Sequence, residues 1–388
     1  MTIGFTSRGA VSICVLCTAS LPAAGPAAAI AGVDPGPRAT AAASSLLYRP
    51  GTHVRPRPGA PEVPDPSALS WLVADARTGN VLAAHDAHRR LPPASTLKTL
   101  FALTVLPTLP AGIRHRVSAK ELAGIGPGSS LVGVAEDRTY RVSDLWNGVF
   151  LSSGNDAVRV LAALNGGWRA TAERMQAKAR ALGARDTRVT SPDGYDAPGQ
   201  VSSAYDLAVF GRAGLRNDEF ARYCARHEAL FPARDGGSYG IVNTNRLLTG
   251  ADGVEPYEGL IGIKNGYTSN AGNTLVAAAR RYGHTLVVTV MNPRSGGGHA
   301  VYEEARTLLD WGFEAAGRVN PVGSLDALRP AALRGPEPES APGPTARRDD
   351  APAHPALWAI TGAALLGAAA VSLYLRLRWG PVPTDQRC

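Results

Sequence analysis

The chain has 388 residues, 45% of them hydrophobic, with 40 lysines and arginines against 32 acidic residues and a net charge of +8. That length accommodates one folded unit of roughly 250 residues plus accessory segments, and four cysteines, three of them close to the termini, exclude an internal disulfide framework. No compact basic tract accompanies the charge, so no nucleic-acid partner is expected, and the lack of an H-E-x-x-H helix disfavours a zinc hydrolase.

Residues 1–31 pair Arg8 with an apolar run from Val11 to Leu21 and end in small residues, the pattern of a cleaved secretory signal. Residues 32–65, rich in proline and small residues, read as a flexible lead. The folded unit is expected over 66–318. It opens with two strands around Thr78-Gly79-Asn80, a hairpin. Pro92-Pro93 then introduces an apolar helix from Ser95 to Leu106, on which Ser95 and Lys98 share a face. Serine is a good N-cap, and a lysine can lie along a surface. Yet only four lysines, Lys98, Lys120, Lys178 and Lys264, occur among the 40 basic residues. Arginine stays protonated, whereas a buried lysine can lose its proton and act as a base. A desolvated lysine beside a hydroxyl is one way to make serine a nucleophile.

Residues 142–230 are helical in character. Ser153-Gly154-Asn155 falls where two helical runs meet and, taken alone, reads as a cap for the second. Three strand-like runs follow, "LIGIK", "NTLVAAARR" and "TLVVTVMN". Lys264 ends the first, ahead of Asn265, Gly266, Tyr267 and Thr268, which alone reads as a strand end beside a turn. An amphipathic helix closes the unit. Strands at both sequence ends with helices between them predict an α+β fold whose single sheet is assembled from both termini. Residues 319–355 form a proline-rich linker. Residues 356–375 carry no charge and have the length of one membrane-spanning helix. Arg376 and Arg378 then begin a tail, 376–388, expected on the cytoplasmic side. The prediction is a single-pass cell-membrane protein with its bulk outside the cytoplasm.

Taken together and in order, Ser95-Thr96-Leu97-Lys98, Ser153-Gly154-Asn155 and Lys264-Asn265-Gly266 resemble the S-x-x-K, S-x-N and K-T-G signature of penicillin-recognising serine enzymes. The contexts "ADARTGNVLAAHDAHRRLPPASTLKTL", "LSSGNDAV", "MQAKARALGARDTRVTSPDG" and "GIKNGYTSNAGNTLVAAARR" narrow this. Over residues 66–313 the chain resembles the serine-type D-alanyl-D-alanine carboxypeptidases, low-molecular-mass penicillin-binding proteins of the peptidase S11 kind. The resemblance implies a penicillin-binding-protein/β-lactamase-like fold, an antiparallel sheet packed with helices plus an all-helical subdomain. It implies removal of the terminal D-alanine from peptidoglycan stem pentapeptides through an acyl-serine intermediate. No metal or cofactor is needed, and β-lactams should acylate Ser95.

Carried over by the same resemblance, Ser95 is the nucleophile and Lys98 the base that takes its proton. Ser153 relays a proton to the leaving amine, and Asn155 orients Lys98 and the substrate amide. Lys264 polarises Ser153 and helps hold the terminal carboxylate, with Thr268 assisting, along an edge that includes Asn265, Gly266 and Tyr267. The backbone amides of Ser95 and Tyr267 correspond to the oxyanion hole. Asn265 departs from the usual threonine, which bears on substrate preference. Where some relatives bind the carboxylate with an arginine after the last strand, this chain offers Arg294 and His299. Two alternatives remain: a β-lactamase-type hydrolase, opposed by the lack of an E-x-x-L-N pattern between the second and third motifs, and a catalytically idle penicillin- or wall-binding protein, for which only Asn265 speaks.

Overall fold

The computed structural model describes residues 46–328, all within one unit. The expected signal at 1–31, the membrane helix at 356–375 and the tail at 376–388 lie outside the described residues, as does the linker from 329 onward. Among the described residues no helix is long and apolar enough to cross a membrane.

The chain enters through a 3-10 turn, Leu46–Tyr48, and strand β1 (Thr52–Pro56), then forms the expected hairpin of β2 (Ala68–Asp75) and β3 (Asn80–His85). A helical block follows: α1 (Lys98–Val105), a ribbon of β4 (Arg114–Arg116) and β5 (Thr139–Arg141), then α2 (Val142–Leu151), α3 (Asn155–Leu164), α4 (Trp168–Ala181), α5 (Ala204–Leu215) and α6 (Asp218–Cys224). A second ribbon, β6 (Glu228–Pro232) with β7 (Ser238–Val242), and the single turn α7 (Arg246–Thr249) lead back to the sheet. There β8 (Leu260–Thr268), β9 (Gly272–Arg281) and β10 (His284–Pro293) form a meander, and α8 (Ala300–Ala315), β11 (Val319–Asn320) and β12 (Gly323–Ser324) complete the unit.

The main sheet runs β11-β1-β3-β2-β10-β9-β8, with β12 added to β3. Its pairings are antiparallel. Its centre joins the two ends of the sequence, β2 beside β10. Both faces of β10 are covered, which explains its uninterrupted apolar run. Because successive strand residues point to opposite faces, Leu286, Val288 and Val290 join a core with Leu308 and Leu309 of α8. Val287 and Met291 face the other way, into the core of the helical block, and Thr289 Oγ1 donates to Ala204 O at the start of α5 (3.1 Å). The α+β architecture predicted from the sequence is the one observed.

Two predicted boundaries move. The lead expected over 32–65 is ordered from residue 46: Leu47 is buried, and β1 pairs with β3 through Val54↔Ala83 and with β11 through Pro56↔Val319. No residue of β1 is fully buried, so it lacks the apolar alternation that marks a strand in sequence. The end expected at 318 moves outward too, because β11 and β12 extend the sheet. The helix expected from Ser95 to Leu106 begins as a 3-10 turn, Ala94–Leu97, and becomes α-helical at Lys98.

Candidate active site

Ser95 sits in the 3-10 turn leading into α1, whose residues from Lys98 to Ala102 are all buried. Lys98 is only 1% exposed, and its Nζ donates to Ser95 Oγ (2.8 Å) and to the backbone oxygen of Asp193 (2.7 Å). Burial disfavours the ammonium form and pushes Lys98 down to about 8, although the Asp193 and Asp156 carboxylates pull the other way. A base poised close to neutral pH is thus within hydrogen-bond reach of a hydroxyl. Ala94, just before Ser95, holds a left-handed φ of 49°. Its position is fixed by the Asp193-Gly194 turn: Gly194 lies so close to Ala94 O that any Cβ there would collide.

Ser153 occupies the turn between α2 and α3, also with a left-handed φ, 56°. Its hydroxyl and Asn155 Oδ1 are buried without a protein partner. Buried polar atoms are normally paired, so these two keep hydrogen-bonding capacity that the protein itself does not use. The neighbouring Asp156 has a structural task. Its carboxylate accepts from the amides of Val132 (3.0 Å), Gly133 (2.8 Å), Val134 (2.8 Å) and Ala157 (2.9 Å). With Asn155 N donating to Ser130 O (2.8 Å), this clamps the 128–134 loop against the start of α3 and puts Ser130 on the groove wall.

Strand β8 forms the opposite wall. Gly266 is required there: a Cβ would stand 2.6 Å from Ser95 N and 2.9 Å from Thr274 Oγ1. Lys264 is 2% exposed and donates to Asn265 O (2.8 Å). Burial, and then the charge of Lys98, drive its pKa well below the usual lysine value. Asn265 does not point freely at the groove. Its Oδ1 accepts from Thr244 Oγ1 (3.1 Å), and its Nδ2 donates to Thr244 O and to Tyr302 Oη (both 3.2 Å). Tyr267 is 67% exposed.

The groove is continuous with a cleft on either side of Ser95. One cleft is lined by Ser153, Thr244, Asn265 and Tyr302, and its single charged residue is Arg246. The other is lined by Asn155, Tyr195, Thr268 and Ser269, and its single charged residue is Asp196. Ser95, Gly128, Ser130 and Tyr267 belong to both. Thr268 therefore lies away from Arg246. Its hydroxyl donates to Asp196 Oδ1 (2.7 Å) and accepts from Ala271 N (3.1 Å). Arg294 and His299 are exposed and line neither cleft. Their segment follows β10, and β9 separates that strand from β8, the groove wall.

Ser95, Lys98, Ser153, Asn155, Lys264, Asn265 and Gly266 are thus brought together. Arg246, Asp156, Asp193 and Asp196 were given no role from the sequence. Asp193 lies at the end of the third quoted context and Asp196 just beyond it, in "SPDGYDAPGQ", whereas nothing in "NTNRLLTG" distinguishes Arg246 from the chain's many other arginines.

Residues 58–295 match the family model described as D-alanyl-D-alanine carboxypeptidase, peptidase S11. The chain is 41% identical over 273 residues to the D-alanyl-D-alanine carboxypeptidase DacB2 of Mycobacterium tuberculosis, covering 70% of this chain and 89% of that one. It is 34% identical over 268 residues to DacD of Escherichia coli, covering 66% of this chain and 65% of that protein. Among solved structures, a D-alanyl-D-alanine carboxypeptidase of M. tuberculosis aligns with a TM-score of 0.64 at 39% identity, over 70% of this chain and all of that one. The Streptomyces K15 DD-transpeptidase aligns with a TM-score of 0.60 at 25% identity, over 65% of this chain and 99% of that one.

Proposed function

Because the chain belongs to the D-alanyl-D-alanine carboxypeptidase family, peptidase S11, we propose that it removes the terminal D-alanine of peptidoglycan stem pentapeptides through an acyl-enzyme on Ser95, and that it does so from a membrane tether outside the cytoplasm. The observation that carries the chemistry is the 2.8 Å contact between Ser95 Oγ and the buried Nζ of Lys98.

With Lys98 neutral, Ser95 Oγ attacks the carbonyl carbon of the penultimate D-alanine while its proton passes to Lys98. The amides of Ser95 and Tyr267 receive the oxyanion, donors of a kind worth roughly 2.7–4 kcal/mol each. Collapse of the adduct breaks the C–N bond, and the proton reaches the departing amine through the orphaned hydroxyl of Ser153. Water then hydrolyses the ester and frees the shortened stem. Asn155 orients the substrate amide. Lys264 and Arg246 hold the terminal carboxylate, because Arg246 is the one charged side chain lining that end of the groove. The tether is supported by the uncharged residues 356–375 followed by Arg376 and Arg378. Full-length chain should therefore stay with membranes, and a chain ending at 328 should not.

The test incubates the full chain, in detergent, with a peptide ending in D-Ala-D-Ala, alongside Ser95→Ala. Free D-alanine from the first and none from the second is the expected result. A stable penicillin adduct without D-alanine release would make the protein an idle binder. Rapid penicillin hydrolysis without release would make it a β-lactamase.

A further inference from the structure

The groove has opposite charge at its two ends, and a stem peptide has a direction. Strand β8 lines the length of the groove, with Asn265 in the Arg246 cleft and Thr268 in the Asp196 cleft, Ser95 being shared by both. With the free carboxylate seated at Arg246, the rest of the stem leaves Ser95 toward Asp196. Residues of an extended chain advance roughly 3.3–3.6 Å each, so the residue preceding the two D-alanines enters the cleft that contains Asp196.

The Asp196 carboxylate is held ready there. Oδ1 accepts from Thr268 Oγ1 (2.7 Å) and Oδ2 from the amide of Asn270 (3.2 Å), which leaves acceptor capacity on both oxygens. The carboxylate is half-buried, and no basic residue lines its cleft or the adjoining pocket between Pro92 and Gln200. Two aromatic residues, Tyr195 and Tyr267, line the same cleft. Tyr195 is fixed by its hydroxyl donating to Pro127 O (2.8 Å), and Tyr267 is open to solvent. A carboxylate already locked in place, beside aromatic surface, suits an ammonium group carried on an alkyl stem.

We propose that Asp196 is a specificity-determining residue that selects stems whose third residue bears a cationic side chain, the ω-ammonium of a diamino acid. This rests on the reading of Ser95 as the nucleophile toward D-Ala-D-Ala. Lysine, Nε-acetyl-lysine and glutamate peptides, each followed by D-Ala-D-Ala, serve as probes for the full-length protein. At low ionic strength the lysine peptide should show a kcat/KM about fivefold above its acetylated form, with the glutamate peptide lowest. The preference should shrink in roughly 0.5 M salt and fall to near unity in Asp196→Asn, whose fold is checked by penicillin acylation of Ser95. Equal rates on lysine and acetyl-lysine peptides in the unmodified protein would overturn the proposal, even where the variant does not fold. A preference that survives intact in Asp196→Asn would overturn it too. If no peptide yields D-alanine while penicillin still acylates Ser95, the carboxypeptidase reading itself fails and the selectivity falls with it.

Discussion

In the proposed mechanism the side chain at position 98 must be able to give up a proton inside a protein, and that requirement separates lysine from arginine. Lys98→Arg keeps the charge and removes the base, so acylation of Ser95 by a fluorescent penicillin should slow at least about 100-fold, read as labelling rate at fixed drug. The pH dependence follows from the direction of the shift. Below about 8 the ammonium form dominates, so acylation should climb about tenfold per pH unit and level off above that value, as stopped-flow labelling from pH 5.5 to 9.5 would show. Stability carries the same sign: between about 8 and the ordinary lysine value of 10.5 the unfolded chain binds more protons, so this group makes the fold more stable as pH rises through that window. Lys98 and Lys264 were legible in the sequence because lysine is rare there and each occupies a motif. Arg246 and Asp196 were not, since their meaning comes from being the only charges in their clefts, which residue spacing does not reveal.

The turn from α2 into α3 shows how one element holds another in place. Asp156 binds four backbone amides from a buried position. Asp156→Ala leaves the three loop donors dry and unpaired, at a cost of about 3 kcal/mol. A lower urea midpoint at unchanged slope would register it. Acylation should fall more than tenfold as well, since Ser130 and Ser153 lose their support. The sequence reading gives Asp156 no role. Its actual partners lie 22 to 24 residues earlier, and only folding brings them there. The β8–β10 meander was legible because its strands are apolar on both faces, whereas β1 was hidden by its arginine, proline and partial exposure.

For the molecule as a whole, the corrected boundary can be tested directly. A chain starting at 66 lacks Leu47, β1 and the Val54 contact with the α8-side core. Compared with one starting at 46, it should lose about 2–4 kcal/mol, the order expected for removing two apolar side chains from a packed surface, and a thermal scan of the two would measure it. The sheet that joins both ends of the sequence has a further effect, on time. Asp75 pairs with Leu286, so β2 must wait for a strand roughly 200 residues further along the chain, a closure whose entropy slows folding. The helical block can gather while the β2–β3 hairpin still lacks β10 at the open edge of β2, but the wall that meets Ser95 at Gly266 exists only after β8 and β9 dock. Penicillin labelling of refolding chains is therefore a clock for that last docking, and it should lag behind the recovery of helical circular dichroism.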